Sequence, residues 1–222
     1  MRAWTLPGTI DPVGRLNGQL RRLPVWAVWI MGAVPLALLI ADTLGGRLGI
    51  DAVRDIEHRL GRTAIYLLIA SLAVTPLRRF TGVNLIRFRR AVGLLCFSYA
   101  VLHLAAWAIL DMGLLWGQAL RDIAKRPYLT IGMAGFAILA ILAATSSDAA
   151  IRRLGAVRWR RLHRLVYAAP LLGILHWLLA YKIWPAKGLA VGALIVVILA
   201  PRLRWGRGAL DGAKNKGYRS MR

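Results

Sequence analysis

LHRLVYAAPLLGILHWLLAY, residues 162–181, is twenty residues long and carries one formal charge, Arg164, near its start. A helix of roughly this length and composition is what crosses the hydrocarbon layer of a bilayer. The stretch also holds two histidines, His163 and His176, thirteen residues apart. Five other stretches reach or approach the same standard: 25–44, 62–77, 91–111, 128–146 and 189–203. The expectation is an all-α polytopic membrane bundle of six transmembrane helices. Composition agrees, because 58% hydrophobic residues and nine Trp among 222 residues are more apolar surface than one soluble core can hide.

The formal charge of +22 would suit a nucleic-acid binder if it were gathered in one patch. Here the basic residues fall between long apolar runs, so nucleic acid is not expected as a partner. Their distribution sets an orientation instead, since short loops rich in Lys and Arg stay cytoplasmic. The N-terminus, the segment after the second span, the one before the fifth and the C-terminal tail hold 22 Lys and Arg. The opposite segments hold nine, among them Arg54, Arg59, Arg121 and Lys187. Both termini are expected in the cytoplasm, as an even number of spans requires. The domain reading is a cytoplasmic N-terminal segment 1–24, a transmembrane domain 25–204 and a basic cytoplasmic tail 205–222 facing anionic membrane lipid. No small-residue cleavage pattern follows the first apolar run, so that run is expected to stay in the protein.

Cys96 is the one cysteine and lies in an apolar run, which excludes a disulfide framework, a CxxCH haem attachment and a thiolate zinc site. The chain has no GxGxxG or Walker loop, and Asp42, Asp111 and Asp148 lie at the ends of spans. Histidines are left to carry chemistry, and ionisable groups inside a membrane are costly enough to mark function. His103 lies about 18 Å along the third span at about 1.5 Å per residue, and His176 about 20 Å deeper than His163 along the fifth. Two spans therefore present one histidine each at the same depth, as a six-coordinate haem requires of its axial ligands. The plainer reading of either is a buried histidine bonded to a backbone carbonyl.

An ideal helix places His163 and His176 about 140° apart in azimuth. Pro170 between them removes a helix hydrogen bond and can redirect one of the two. Arg89 and Arg90, not a histidine, stand at the depth of His163 on the third span. Arginine is a poor iron ligand but its planar fork suits a haem propionate, so His163 with Arg89 and Arg90 is the candidate inner-side site, against the plainer reading of a basic interface anchor. His58 precedes the second span and reads as a solvated loop residue level with the outer site.

Several pieces share one order: Asp55-Ile56-Glu57-His58-Arg59-Leu60-Gly61-Arg62, Thr75-Pro76-Leu77, Arg89-Arg90-Ala91-Val92-Gly93-Leu94 through Tyr99, and Leu102-His103-Leu104. Arg126-Pro127-Tyr128, Thr145-Ser146 and Trp159 through Tyr167 with His176 follow. In this order they resemble the haem-binding membrane subunits of bacterial periplasmic protein-methionine-sulfoxide reductase systems, members of the ferric-reductase-like transmembrane family that includes NADPH oxidases. The resemblance implies haem b, one or two per chain, with His103, His163 and His176 as haem residues, Arg89 as an inner-side contact and His58 as a pattern match. Relatives with attached dehydrogenase domains carry four histidines in two cross-helix pairs, whereas this chain shows three. The resemblance also implies a bacterial inner-membrane location and a periplasmic molybdenum-cofactor partner that itself reduces methionine sulfoxide. Electrons would come from the quinone pool or a flavin reductase, and some members carry FMN. Other readings are a ferric reductase, a cytochrome b quinol dehydrogenase anchor, and a transporter or structural membrane protein. The last is disfavoured by the lack of a repeat and of a mid-membrane acid.

Overall fold

The computed structural model describes residues 11–200, and within them every regular element is helical. Asp11 caps α1 (Pro12–Arg22) by accepting the Gly14 N–H at 2.8 Å, with Pro12 in the first turn, where its missing N–H costs nothing. α2 (Trp26–Leu44) and α3 (Ala52–Thr81) follow. The second span, expected at 62–77, is the middle of a 30-residue helix that Asp51 caps through the Arg54 N–H and that ends at Gly82, in the left-handed region at φ 78°. At about 1.5 Å per residue α3 is about 45 Å long, more than an apolar layer of about 30 Å requires.

α4 (Arg89–Ala106) enters through a 3₁₀ turn, Ile86–Phe88, and leaves through a π-helical turn, Trp107–Asp111. Gly113 and Leu114 then take φ of 56° and 60°, which turns the chain into the short amphipathic α5 (Trp116–Lys125). α6 (Pro127–Ala144) starts on Pro127, and α7 (Asp148–Leu154) is capped by Ser147. α8 (Ala156–Leu162), a 3₁₀ stretch His163–Tyr167 and α9 (Ala168–Leu179) run on as one rod, followed by α10 (Ala186–Ala200). Five segments among the described residues are long and apolar enough to cross a membrane: Trp26–Leu44, Ala52–Thr81, Ile86–Asp111, Pro127–Ala144 and Ala156–Leu179. α10 is apolar but shorter. Residues 201–203 of the sixth expected span and the whole of the 205–222 tail lie outside the described residues.

α3 is the middle of the packing. One buried cluster joins its Ile65, Leu68, Ile69 and Leu72 to Cys96 of α4, Ile174 of α9 and Ile195 of α10. Another joins Leu60 and Ala64 to Leu39 of α2 and Tyr99 of α4. α3 with α4, and α6 with α9, are the two most extensive helix pairs. Outward-facing side chains such as Met31, Leu44 and Val197 are largely exposed, the pattern of helices whose outer faces meet lipid.

α2 carries Pro35, and beside it the Tyr99 hydroxyl is inserted into the helix ladder. It donates to the Gly32 carbonyl at 2.6 Å and accepts from the Leu36 N–H at 3.0 Å. A side chain placed between an i−4 carbonyl and its N–H is a recognised cause of helix bending.

The two ends of the bundle are fastened differently. At one, Asn17 of α1 donates to the Gly82 carbonyl at 3.1 Å and accepts from the Asn84 N–H at 2.8 Å, and Arg90 pairs with Asp148 at 2.9 Å. At the other, Asp42 at the end of α2 holds Arg47 at 2.9 Å and Arg59 at 2.6 Å, while Arg59 also holds Asp55 at 2.9 Å.

Candidate functional site

Two helix pairs each deliver one histidine to the same place. The His103 Nδ1–H donates to the Glu57 carbonyl of α3 at 2.9 Å, and the His176 Nδ1–H donates to the Tyr128 carbonyl of α6 at 2.8 Å. A carbonyl oxygen can only accept, so the proton is on Nδ1 in both rings and Nε2 keeps its lone pair. The ring centroids are 6.1 Å apart, with the planes inclined at 70°. The matched depth read from the sequence is thus a real juxtaposition. The two readings weighed for each histidine turn out to be compatible, because the carbonyl engages one nitrogen and leaves the other.

The spacing and the tautomers fit a metal held between the rings. Two imidazole–metal bonds of about 2.0–2.1 Å, with about 1 Å from each nitrogen to its ring centre, add to roughly 6 Å. Among the described residues no group of three or more His, Cys, Asp or Glu is arranged to hold a metal ion. Two imidazoles from facing helices, without further protein ligands among the described residues, would suit a haem iron, whose remaining ligands come from the porphyrin.

Each ring lies against a glycine. An added Cβ at Gly61 would be 3.3 Å from His103 Cε1 and Nδ1, and one at Gly132 would be 2.7 Å from His176 Nδ1. Gly132 was missed in the sequence, and Gly61 was noticed only as part of a motif. The available signal is a glycine within an apolar helix, one turn after the residue whose carbonyl is needed.

His163 is in a different setting. Its ring stacks on Trp159 with centroids 4.0 Å apart, and its Nε2 is 3.1 Å from Thr145 Oγ1. Thr145 donates its own hydroxyl proton to the Ile141 carbonyl at 2.7 Å, so it accepts from His163 Nε2–H, and Nδ1 is the nitrogen with a free lone pair. Arg89 lies within electrostatic reach of His163. Arg90 is drawn away to Asp148.

The azimuth difficulty is removed just before Pro170. His163–Tyr167 is 3₁₀, and Pro170, in the first turn of α9, has no N–H for the Val166 carbonyl. Five residues at about 120° and eight at about 100° turn the chain by about 1400°, which leaves the two histidines about 40° apart.

His58 corrects the sequence reading. It is in the second turn of α3, not in a loop, and is half-buried, with its Nδ1 3.2 Å from the Tyr181 hydroxyl and within electrostatic reach of His103. The sequence pattern broke at the charged residues 54–62, which nonetheless continue the helix: Asp51 caps it, Arg59 pairs with Asp55 and with Asp42 of α2, and Arg62 lies 4.0 Å from Asp55.

Residues 60–174 match the family described as the ferric reductase like transmembrane component. The chain is 42% identical, over 181 residues, to proteins of Brucella ovis, Brucella canis and Brucella suis named protein-methionine-sulfoxide reductase heme-binding subunit MsrQ. That alignment covers 80% of this chain and 82% of each relative. With its apolar spans and its paired histidines inside the matched region or two residues beyond it, the chain belongs to the ferric-reductase-like transmembrane family.

Proposed function

We propose that this chain is a six-span b-type haem electron-transfer subunit of a bacterial inner membrane, with both termini cytoplasmic and with His103 and His176 as axial ligands of an outer-side haem. The observation that carries the reading is the pair itself: two rings 6.1 Å apart on different helices, each with Nδ1 committed to a backbone carbonyl. The relatives' name supports haem as the group held. It also supports a protein-methionine-sulfoxide reductase as the partner, here a periplasmic molybdenum-cofactor enzyme that holds the sulfoxide-reducing site.

When bound, haem supplies a one-electron iron couple and needs no substrate pocket in this chain. The residues do the rest. His103 and His176 would hold the haem iron through Nε2, and the Glu57 and Tyr128 carbonyls keep both rings in the tautomer that leaves this nitrogen free. Ile65, Ile174 and their neighbours keep water away from the middle of the bundle. His163 with Arg89 is the inner-side station, where electrons enter from the quinone pool or a flavin reductase. The stacked Trp159 and the Arg89 guanidinium suit an aromatic or anionic cofactor such as FMN or a second haem.

The test is the dithionite-reduced minus oxidised spectrum of detergent-purified protein, with a pyridine haemochrome count, for wild type and the Ala variants of His103, His176 and His163. A b-type spectrum lost in the first two variants is expected. Partial loss in His163→Ala would make the inner-side station a haem site. Absence of haem from the wild type would overturn the reading.

A further inference from the structure

We infer that Gly61 and Gly132 are positioning residues for the two histidines, each clearing the side of a helix carbonyl so that an imidazole from the neighbouring helix can bond to it. The inference rests on the haem reading above only for what the histidines then hold.

A helix carbonyl has two lone pairs, one of which accepts the N–H four residues on. The other faces the side chain at that same i+4 position. This chain shows it repeatedly: Thr43 donates to the Leu39 carbonyl at 2.8 Å, Thr63 to Arg59 at 2.9 Å and Ser98 to Leu94 at 3.1 Å. Whatever side chain stands at i+4 therefore fills or shields that lone pair.

At two places the i+4 residue is glycine, and the donor comes from another helix. The Glu57 carbonyl has Gly61 four residues on and accepts His103 Nδ1–H; the Tyr128 carbonyl has Gly132 four residues on and accepts His176 Nδ1–H. The same device thus occurs once in each of the two most extensive helix pairs, α3 with α4 and α6 with α9. Other helix glycines are not used this way. A Cβ at Gly93 meets nothing nearer than Ser71 Oγ at 3.8 Å, and one at Gly135, on the same helix as Gly132, meets Leu172 Cβ at 3.5 Å, an ordinary contact.

If a side chain returned at either glycine, the ring would be pushed off its carbonyl. Nδ1–H would then lack an acceptor, and the tautomer with the proton on Nε2, which leaves no lone pair on that nitrogen for iron, would be released. The effect should be graded. Gly132→Ala, at 2.7 Å from His176 Nδ1, must move the ring, while Gly61→Ala, at 3.3 Å, needs only a small shift. Gly61→Ser should be worse than Gly61→Ala, because its hydroxyl competes for the Glu57 carbonyl.

The experiment compares Gly132→Ala, Gly61→Ala and Gly61→Ser with Gly93→Ala and Gly135→Ala. It measures haem per protein, the low-spin fraction by EPR, and the histidine tautomers by ¹⁵N NMR of haem-free protein. Shielding of the Cys96 thiol reports that each variant is folded. Expected are a loss of haem retention on the order of 10- to 100-fold in Gly132→Ala, as for other changes around ligating histidines, a smaller loss in Gly61→Ala and wild-type behaviour in both controls. Wild-type haem content, spin state and tautomers in Gly132→Ala would overturn the inference, as would an equal loss in Gly135→Ala, which would mark a general packing effect. If wild-type protein holds no haem, the haem reading fails, while the tautomer measurement still decides the positioning role.

Discussion

Replacing Tyr99 by Phe tests whether the hydroxyl inserted into α2 holds the bundle together. The ring can stay in place, since Tyr99 is 3% exposed and packed among Leu39, Leu60 and Ala64. What goes is one oxygen that serves two backbone groups, the Gly32 carbonyl and the Leu36 N–H. A buried backbone group without a partner costs about 1–3 kcal/mol. The two groups could recover part of this by bonding directly to each other. Straightening α2 to do so is resisted at Gly32, where an added Cβ would sit only 2.5 Å from Leu95 Cδ1, so the helices are already in close contact there. A net loss of about 2 kcal/mol then lowers Tm by roughly 4–8 °C, at about 2–4 °C per kcal/mol for a chain of this size. Cys96 is the sole cysteine and is 1% exposed, so a thiol-reactive fluorophore added during heating reads unfolding without a label being engineered. A shift below about 1 °C would refute the reasoning and mean that the ladder closes without the hydroxyl.

Thr145→Val removes the acceptor of His163 Nε2–H and should disturb only the inner-side station; the spectrum assigned to the His103–His176 pair is expected to stay as in wild type, and loss of that spectrum would contradict the separation of the two sites. Asp148→Asn breaks the pair with Arg90, in which the Arg90 and Asp148 side chains are 52% and 72% exposed, and should move Tm by less than about 4 °C in the same thiol assay because exposed pairs contribute about 0–1 kcal/mol. A large drop would show the pair to be more than a surface contact.

The site was partly legible because depth is a one-dimensional quantity. A span's entry point and the rise per residue give the level of His103 and His176, and the rings are indeed adjacent. Azimuth was not legible: the sequence suggested Pro170 as the source of a kink, but the turn is taken up by a 3₁₀ stretch beginning at His163 itself. His58 was misjudged because charge-rich residues look like a loop until a cap and the ion pairs to Asp42 and Asp55 are known. Trp159, Tyr128 and Thr145 stood in recognisable motifs without a role, since stacking and hydrogen bonding join residues 4 to 48 positions apart.

Hydropathy and residue type by themselves determined that the chain is a helical membrane bundle and that two of its histidines share a level, since each of these depends only on composition and on distance along a chain of fixed rise. Only the tertiary structure decided which nitrogen of each ring is free, which carbonyls hold the rings and why Gly61 and Gly132 stand where they do. Those depend on how neighbouring helices are rotated and how closely they approach, and close approach is set by the packing of both surfaces at once.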